Sequence, residues 1–418
     1  MKLLHVIPSM DPRTGGPCQT IRYLAPGAFQ QEIADMIEVV CLDDPNSTYL
    51  TQESLTIHTL GKGRGPWGYH RALPLWLDNN LPRFDAVILH GLWQYASYAL
   101  SKAAQGLKLP PYFVFPHGML DPWFQRAPER RLKAIRNWFY WKLIEQHVVR
   151  HAEAVLFTCE EEMRLARETF RPYLPKHQVS VGCGVAKPPE FDKKMQEAFE
   201  QACPGTKGKP YFLFLGRIHP KKGVDLLIKA YSTLIASALK HDLSPPPCLV
   251  IAGPGLETPY GQQMQSLASE LRQPQTVFLP GMLPIDAKWG ALYKAEAFVL
   301  ISHQENFGSA VVESLACGTP TLISNQINIW REIEEDGAGL VSPDTFAGAE
   351  QLIRRWQALS QHDKSIMRSS AEAAYEKRFT IPIFRQNLLA TIGELTRRRR
   401  AHFTNMDQNS ERGLSKLT

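Results

Sequence analysis

The sequence predicts an α/β protein of two doubly wound, Rossmann-like domains, and three observations carry that prediction. Short apolar strands alternate with helical stretches along nearly the whole chain, which argues parallel sheets covered on both faces. The alternation runs twice, interrupted by Pro204-Gly205-Thr206-Lys207-Gly208, a linker by composition. A chain of 418 residues is too long for one compact core and comfortable for two.

The first run opens with Lys2–Ile7, an apolar strand ending at Pro8, then a loop carrying Gly15-Gly16 and a helix from near Pro17. Further strands are expected at Ile37–Cys41, Leu55–Leu60, Ala86–Leu89, Tyr112–Phe115, Ala154–Thr158 and Val179–Val181. A polar helix to about Ala202 then reaches the linker. The second run places strands at Tyr211–Leu215, Cys248–Ala252, Thr276–Leu279, Ala297–Ser302, Thr321–Ser324 and Gly339–Val341. The expected domains are therefore 1–203 and 209–378. Residues 379–400 read as a terminal helix, apolar at helical spacing after Pro382, and 401–418 as a disordered polar tail.

Composition narrows the function classes. A net charge of +6 is too small to argue nucleic-acid binding and leaves room only for a local basic patch. Seven cysteines, odd in number and without C-x-x-C, read as free thiols in a reducing cytoplasm. The start, MKLLHVIPSM, is too short and interrupted for a signal peptide, and no apolar run of about 18 residues occurs.

Chemistry concentrates in a few places. In Ala297–Ser324 a strand, a turn with Glu305, a helix with Glu313, a stop at Gly318-Thr319-Pro320 and a second strand follow one another. Such a junction, at the carboxyl end of a strand, is where open α/β sheets bind ligands and where helix amides are free for an anion. The stretch Gly216–Gly223 lies between a strand and a helix; Arg217 offers a planar fork and Lys222 a point charge, a set suited to a diphosphate. A solvated basic loop is the plainer alternative. Gly15-Gly16 permits close backbone approach to a ligand, or is a simple turn. His90 and His117, each followed by Gly at successive strand ends, favour a ligand-lined wall over isolated structural histidines.

Three patterns mislead. Gly63–Gly68 matches G-x-G-x-x-G, yet Pro66 interrupts the turn and Asp85 precedes its strand, so a nicotinamide site is rejected. His147 and His151 stand at i, i+4 without a Glu or a third ligand. No Asp-x-Asp occurs to hold a divalent ion on a diphosphate. The helix from about Glu129 to Val149 interleaves Arg130, Arg131, Lys133, Arg136 and Lys142 with Leu132, Ile135, Trp138, Phe139 and Trp141. That pattern suits either an interfacial membrane helix or a helix whose aromatics pack inward.

Taken together, these motifs resemble family 4 retaining glycosyltransferases of the GT-B fold, the kind that builds exopolysaccharides or lipid-linked oligosaccharides. The resemblance rests on Gly216-Arg217…Lys222-Gly223 and on Glu305-Asn306-Phe307-Gly308…Glu313-Ser314-Leu315-Ala316…Gly318-Thr319-Pro320. Pro116–Trp123 and Asn328–Ile333 point to a polysaccharide-type branch. It implies two domains facing across a cleft, with the last helix crossing back onto the first. It also implies hexosyltransferase activity with a nucleotide-diphosphate sugar donor, a carbohydrate or lipid-linked acceptor, and no metal cofactor. By the same resemblance, Arg217 and Lys222 hold the diphosphate, Glu313 the ribose and Glu305 the transferred sugar. Amides near Phe307, Gly308 and Ser309 contact sugar or phosphate, His117 lines the sugar pocket, and Gly15 and Gly16 approach the phosphates. The chain departs from the family at Cys183-Gly184, where Asn-Gly is usual, and at Ile301-Ser302, where Pro-Ser is frequent. Two rival functions are a nucleotide-sugar epimerase and a basic membrane-surface or nucleic-acid-binding protein using 129–149 and Arg397–Arg400. The first would need proton-transfer carboxylates in the first domain, to which no motif points, and the second leaves the phosphate loop and paired glutamates unexplained.

Overall fold

The computed structural model describes residues 1–24, 37–50, 55–106, 109–127, 130–271 and 276–414, with side chains described as far as residue 402. Contacts divide the chain into two units, Met1–Gly184 with Ile381–Thr418, and Val185–Thr380.

The first unit holds a parallel sheet of β1 (Leu3–Val6), β2 (Ile37–Cys41), β3 (Thr56–Thr59), β4 (Ala86–His90), β5 (Tyr112–Phe115), β6 (Ala154–Phe157) and β7 (Gln178–Ser180). Its order is β3-β2-β1-β4-β5-β6-β7. Strand order reverses between β1 and β4, which is where doubly wound sheets open a crevice at their carboxyl ends. The five inner strands are wholly buried because both faces are apolar, while β3 and β7 at the edges are part-exposed. A separate apolar core covers each face. In one of them Phe384, Leu388, Ile392 and Leu395, at helical spacing, pack with Cys18, Ile21 and Leu24. The last helix therefore belongs to the first unit.

The second unit holds β8 (Tyr211–Leu215), β9 (Cys248–Ala252), β10 (Val277–Gly281), β11 (Ala297–Leu300), β12 (Thr321–Ser324) and β13 (Gly339–Ser342). They form a parallel sheet of order β10-β9-β8-β11-β12-β13, reversing between β8 and β11. Both pieces of the anticipated ligand site follow those two strands.

Two expected boundaries are corrected. Residues 185–203 belong to the second unit, not the first. The helix Lys193–Ala202 buries Met195 and Phe199, and the Phe199 ring meets Tyr211 of β8 at 5.1 Å. A Cβ on Gly290 would overlap the Met195 carbonyl, so that glycine admits the helix closely. The terminal helix runs from Ile381 to Leu414 rather than stopping near Arg400, since no Pro or Gly follows Arg400 until Gly413. The end of the expected tail, 415–418, lies outside the described residues, as does Glu129 at the expected start of the basic aromatic helix.

Candidate active site

In the second unit, β8 ends at Leu215 and the chain passes through a short turn, Pro220–Lys222, before the helix Val224–His241. The turn is fixed by His219, whose Nδ1 accepts from the Lys221 amide at 3.1 Å. Gly223 takes φ 63°, and a Cβ there would overlap the Ile301 carbonyl oxygen. Only glycine fits both demands. This seat brings the loop against the end of β11, where the His303 amide and the Ser302 hydroxyl both donate to the Lys221 carbonyl, at 2.8 and 3.0 Å.

The segment after β11 carries Glu305, whose amide donates to Gln326 and whose carbonyl accepts from Asn328, at 2.9 and 3.0 Å. Gly308 at φ 77° then opens the helix Ser309–Ala316. Phe307 is buried against Phe379, with ring centroids 5.9 Å apart, and Ser309 is exposed at the first turn. The structure thus gathers the Gly216–Gly223 loop and the paired-glutamate segment into one place.

It also pairs their charges. The Lys222 ammonium is bound to the Glu305 carboxylate, both only about one-sixth exposed, and Ser302 Oγ lies 3.3 Å from the same carboxylate. Glu313, on the helix, is paired with Lys288 at 2.7 Å. Arg217 is exposed and makes no hydrogen bond or ion pair with a described residue. Lys288 escaped sequence reasoning because a lone lysine in Lys288-Trp289-Gly290 carries no motif. It stands over the Trp289 ring at 4.3 Å, on the helix Ile285–Lys294.

The first unit's candidates lie at the carboxyl ends of its own strands. A cavity of about 750 Å³ opens there, lined by Ser9, Asp11, Thr14, Pro17, Asp43, His90 and Trp93 among others. Gly15 takes φ 93°, and a Cβ on Gly15 or Gly16 would meet nothing within 4 Å, so open space remains beside that loop. His117 adopts φ 50° directly after β5, and Trp93 φ 72° after β4. Non-glycine residues held in this region cost of order 1–3 kcal/mol and mark places where the fold constrains the backbone for a purpose. The constraints are carboxylates that sequence reasoning missed. Buried Glu162 accepts from the Gly118 amide at 2.5 Å and from Thr158 amide and hydroxyl at 2.8 and 2.6 Å. Fully buried Glu145 accepts from the Trp93 amide and Ser97 Oγ, each at 2.7 Å, and burial pushes its carboxyl up to about 7. Asp43 ties down the loop after β1 through Ser9, the Met10 amide and Tyr49, at 2.6, 2.6 and 2.9 Å.

The rejected patterns are local structure. Arg64 and Tyr69 bridge across Gly65–Gly68 as a tight reversal, and the next helix begins only at Ala72. His147 and His151 stack at 6.4 Å, and no metal-holding cluster occurs among the described residues. All seven cysteines are buried and free. The basic aromatic helix is Arg131–Tyr140, a wide turn Trp141–Glu145, then Gln146–His151. Only Trp141 of its indoles and phenyls enters the core; Leu132, Ile135, Trp138, Phe139 and Leu143 are exposed. Arg398, Arg399 and Arg400 are engaged inside the unit, with Glu394, Glu153 and Asp85. Among the described residues no helix is long and apolar enough to cross a membrane.

Comparison with known proteins agrees with this architecture. The family model described as Glycosyl transferases group 1 matches residues 196–376, and that described as Glycosyl transferase 4-like domain matches 15–182. The GDP-mannose:cellobiosyl-diphosphopolyprenol alpha-mannosyltransferase of Xanthomonas oryzae pv. oryzae is 29% identical over 391 residues, covering 91% of this chain and 93% of that one. Among solved structures, Anabaena HepE in complex with UDP and glucose superposes with a TM-score of 0.68 at 16% identity, covering 94% of this chain and 99% of that one. A glycosyltransferase from Rickettsia africae ESF-5 gives 0.72 at 14% identity, covering 94% and 98%. The two sheets, their reversals and both family models place this chain among the family 4 glycosyltransferases of the GT-B fold.

Proposed function

We propose that the chain moves a hexosyl group, with retention, from a nucleotide-diphosphate sugar to a carbohydrate or lipid-linked acceptor in polysaccharide biosynthesis, without a metal. The observation that carries the proposal is the meeting of Lys222 with Glu305, beside exposed Arg217, at the switch point of the second sheet. Cations and a carboxylate at one point match the charges that develop in glycosyl transfer. The anomeric C–O bond breaks with its electron pair left on the β-phosphate oxygen, which Lys222, Arg217 and the amides of Gly308 and Ser309 stabilise. Positive charge grows on the sugar ring, where Glu305 is favourable. The acceptor hydroxyl attacks the anomeric carbon from the face the phosphate leaves, and its proton passes to the departing phosphate oxygen. Two side-chain cations already at the site supply the countercharge a divalent ion would otherwise bring.

Glu313 is proposed to bind the ribose hydroxyls, with Lys288 holding it in place. His117, Gly15 and Gly16 are the first unit's proposed substrate contacts. The Xanthomonas relative is named for GDP-mannose, a diphosphopolyprenol acceptor and an α-product. Transfer from α-configured GDP-mannose to an α-linkage is retention, so GDP-mannose and a lipid-linked acceptor are the first pair to try. A lipid-linked acceptor also suits the exposed face of Leu132, Ile135, Trp138, Phe139 and Leu143. It is flanked by Arg131, Lys133, Arg136 and Lys142, and we propose it for contact with the anionic cytoplasmic membrane surface. An epimerase reading has no observation in its favour.

The test is thermal-shift screening against UDP-, GDP- and ADP-sugars, followed by transfer assays in excess chelator with the product anomer read by NMR. Stabilisation by one nucleotide class, transfer in chelator and a retained anomer are expected. Strict metal dependence or an inverted anomer would overturn the mechanism.

A further inference from the structure

Three imidazoles stand in file across adjacent strands of the first sheet. His5 lies on β1, His90 ends β4 and His117 follows β5. His5 Nδ1 is 2.8 Å from His90 Nε2, and His90 Nδ1 is 2.9 Å from His117 Nε2. The rings are nearly parallel, at 22° and 17°, with centroids 5.1 and 5.2 Å apart, as in-plane hydrogen bonds between them require. Burial keeps all three neutral, pushing His5 and His117 down to about 3 and His90 well below its ordinary value.

The protons can be counted. Three neutral imidazoles carry three N–H groups, one each. Each of the two contacts consumes one N–H as donor, so the third must sit at an end of the file. One end, His5 Nε2, is enclosed and has no partner among the described residues. The other, His117 Nδ1, belongs to a largely buried residue but is not among the enclosed nitrogens that lack a partner. An N–H at the His5 end would be a buried donor without an acceptor, the rarest unmet group in folded proteins, whereas a bare acceptor nitrogen there is better tolerated. The third N–H therefore belongs on His117 Nδ1, and every bond in the file runs from His5 through His90 to His117.

We infer that His5 and His90 are positioning residues that lock His117 as a neutral Nδ1–H donor facing an acceptor oxygen of the ligand. Glu162 contributes from the backbone side, holding the Gly118 amide and with it the left-handed turn at His117. A donor made this way needs no charge, so it can hold a hydroxyl or phosphate oxygen without adding a cation to the site. The inference rests on the proposed function only for whose oxygen His117 meets.

The experiment is long-range ¹H–¹⁵N NMR of the full chain labelled at histidine, with the three resonances assigned by single substitutions. At neutral pH the expected spectrum shows Nδ1 protonated and Nε2 unprotonated on His117, His90 and His5. An Nε2–H tautomer or an imidazolium at His117 overturns the inference, and this reading needs no variant to fold. His90→Asn retains an amide donor and is expected to keep His117 as Nδ1–H. His90→Asp offers only an acceptor, so it is expected to move the proton to Nε2 and raise donor KM roughly tenfold. An unchanged His117 tautomer in His90→Asp would show that the file does not control it. Saturating nucleotide sugar separately tests the substrate contact: a His117 signal that ignores it sinks the sugar-pocket assignment while the tautomer result stands.

Discussion

Glu305→Gln should weaken transfer and yet tighten the binding of a free nucleoside diphosphate. In the resting structure the Lys222 ammonium is committed to Glu305, and the same ammonium is the one proposed to hold the donor's diphosphate. A diphosphate must therefore compete with, or share, a carboxylate that is already in place. Gln keeps the shape and the backbone hydrogen bonds that hold the turn, to Gln326 and from Asn328, while removing the competing charge. The size of the gain follows from exposure. The two side chains are 17% and 16% exposed, between a surface pair worth up to about 1 kcal/mol and a core pair costing about 3–5 kcal/mol to break. A release of about 1–2 kcal/mol corresponds to roughly 5–30-fold in affinity. UDP and GDP are the right probes because they lack the sugar that Glu305 is proposed to touch. Isothermal titration of wild type, Glu305→Gln, Lys222→Met and the double variant gives the coupling directly. If Glu305→Gln binds both nucleotides as the wild type does, Lys222 is not the diphosphate cation. If it transfers sugar at the wild-type rate, Glu305 is not at the reacting sugar.

Other consequences are open to simple measurement. Gly223→Ala should lower the melting temperature and abolish nucleotide binding, since the left-handed backbone alone costs about 1–2 kcal/mol and the new Cβ overlaps Ile301; an unchanged melt would contradict the packing. Glu145 is pushed up to about 7 from an ordinary 4.5, so its protonated form favours the folded state fully below the lower value, and that contribution is lost as pH rises through the higher one. Glu145→Gln should flatten this part of the stability profile, by up to about 3 kcal/mol between about pH 5 and pH 8 in urea melts; parallel profiles would refute the burial effect. Replacing Trp138 and Phe139 together by Ser should release the protein from anionic vesicles in co-sedimentation without lowering its melting temperature, because both are about half exposed. Retained vesicle binding would remove that face from the membrane proposal.

How far the sequence could be read depends on the range of the physics involved. Strands such as Ile37–Cys41 and Tyr211–Leu215 are visible because burial on two faces demands a continuous apolar run, a local signal. The strand–turn–helix around Glu305 and Glu313 is visible for the same reason. The partners of the charged groups are not, because they are brought together by the fold: Lys222 and Glu305 are 83 residues apart, His5 and His90 are 85, and Glu162 and Gly118 are 44. The helix Lys193–Ala202 joins the second unit although it precedes the linker, since composition locates a linker but says nothing of which core Phe199 enters. This difference alters the meaning of the site. Motif by motif, Lys222 goes to phosphate and Glu305 to sugar, as if each waited for its ligand. In the folded chain each carboxylate already holds a lysine, Glu305 with Lys222 and Glu313 with Lys288, which leaves Arg217, among the described residues, as the unpaired charge of the resting site. A donor arrives as both anion and polyol, and only such a ligand can replace both halves of the pair at once. Inorganic phosphate meets the lysine but leaves the glutamate, and a free sugar does the reverse. On that reasoning the paired charges select for a diphosphate and a sugar joined in one molecule.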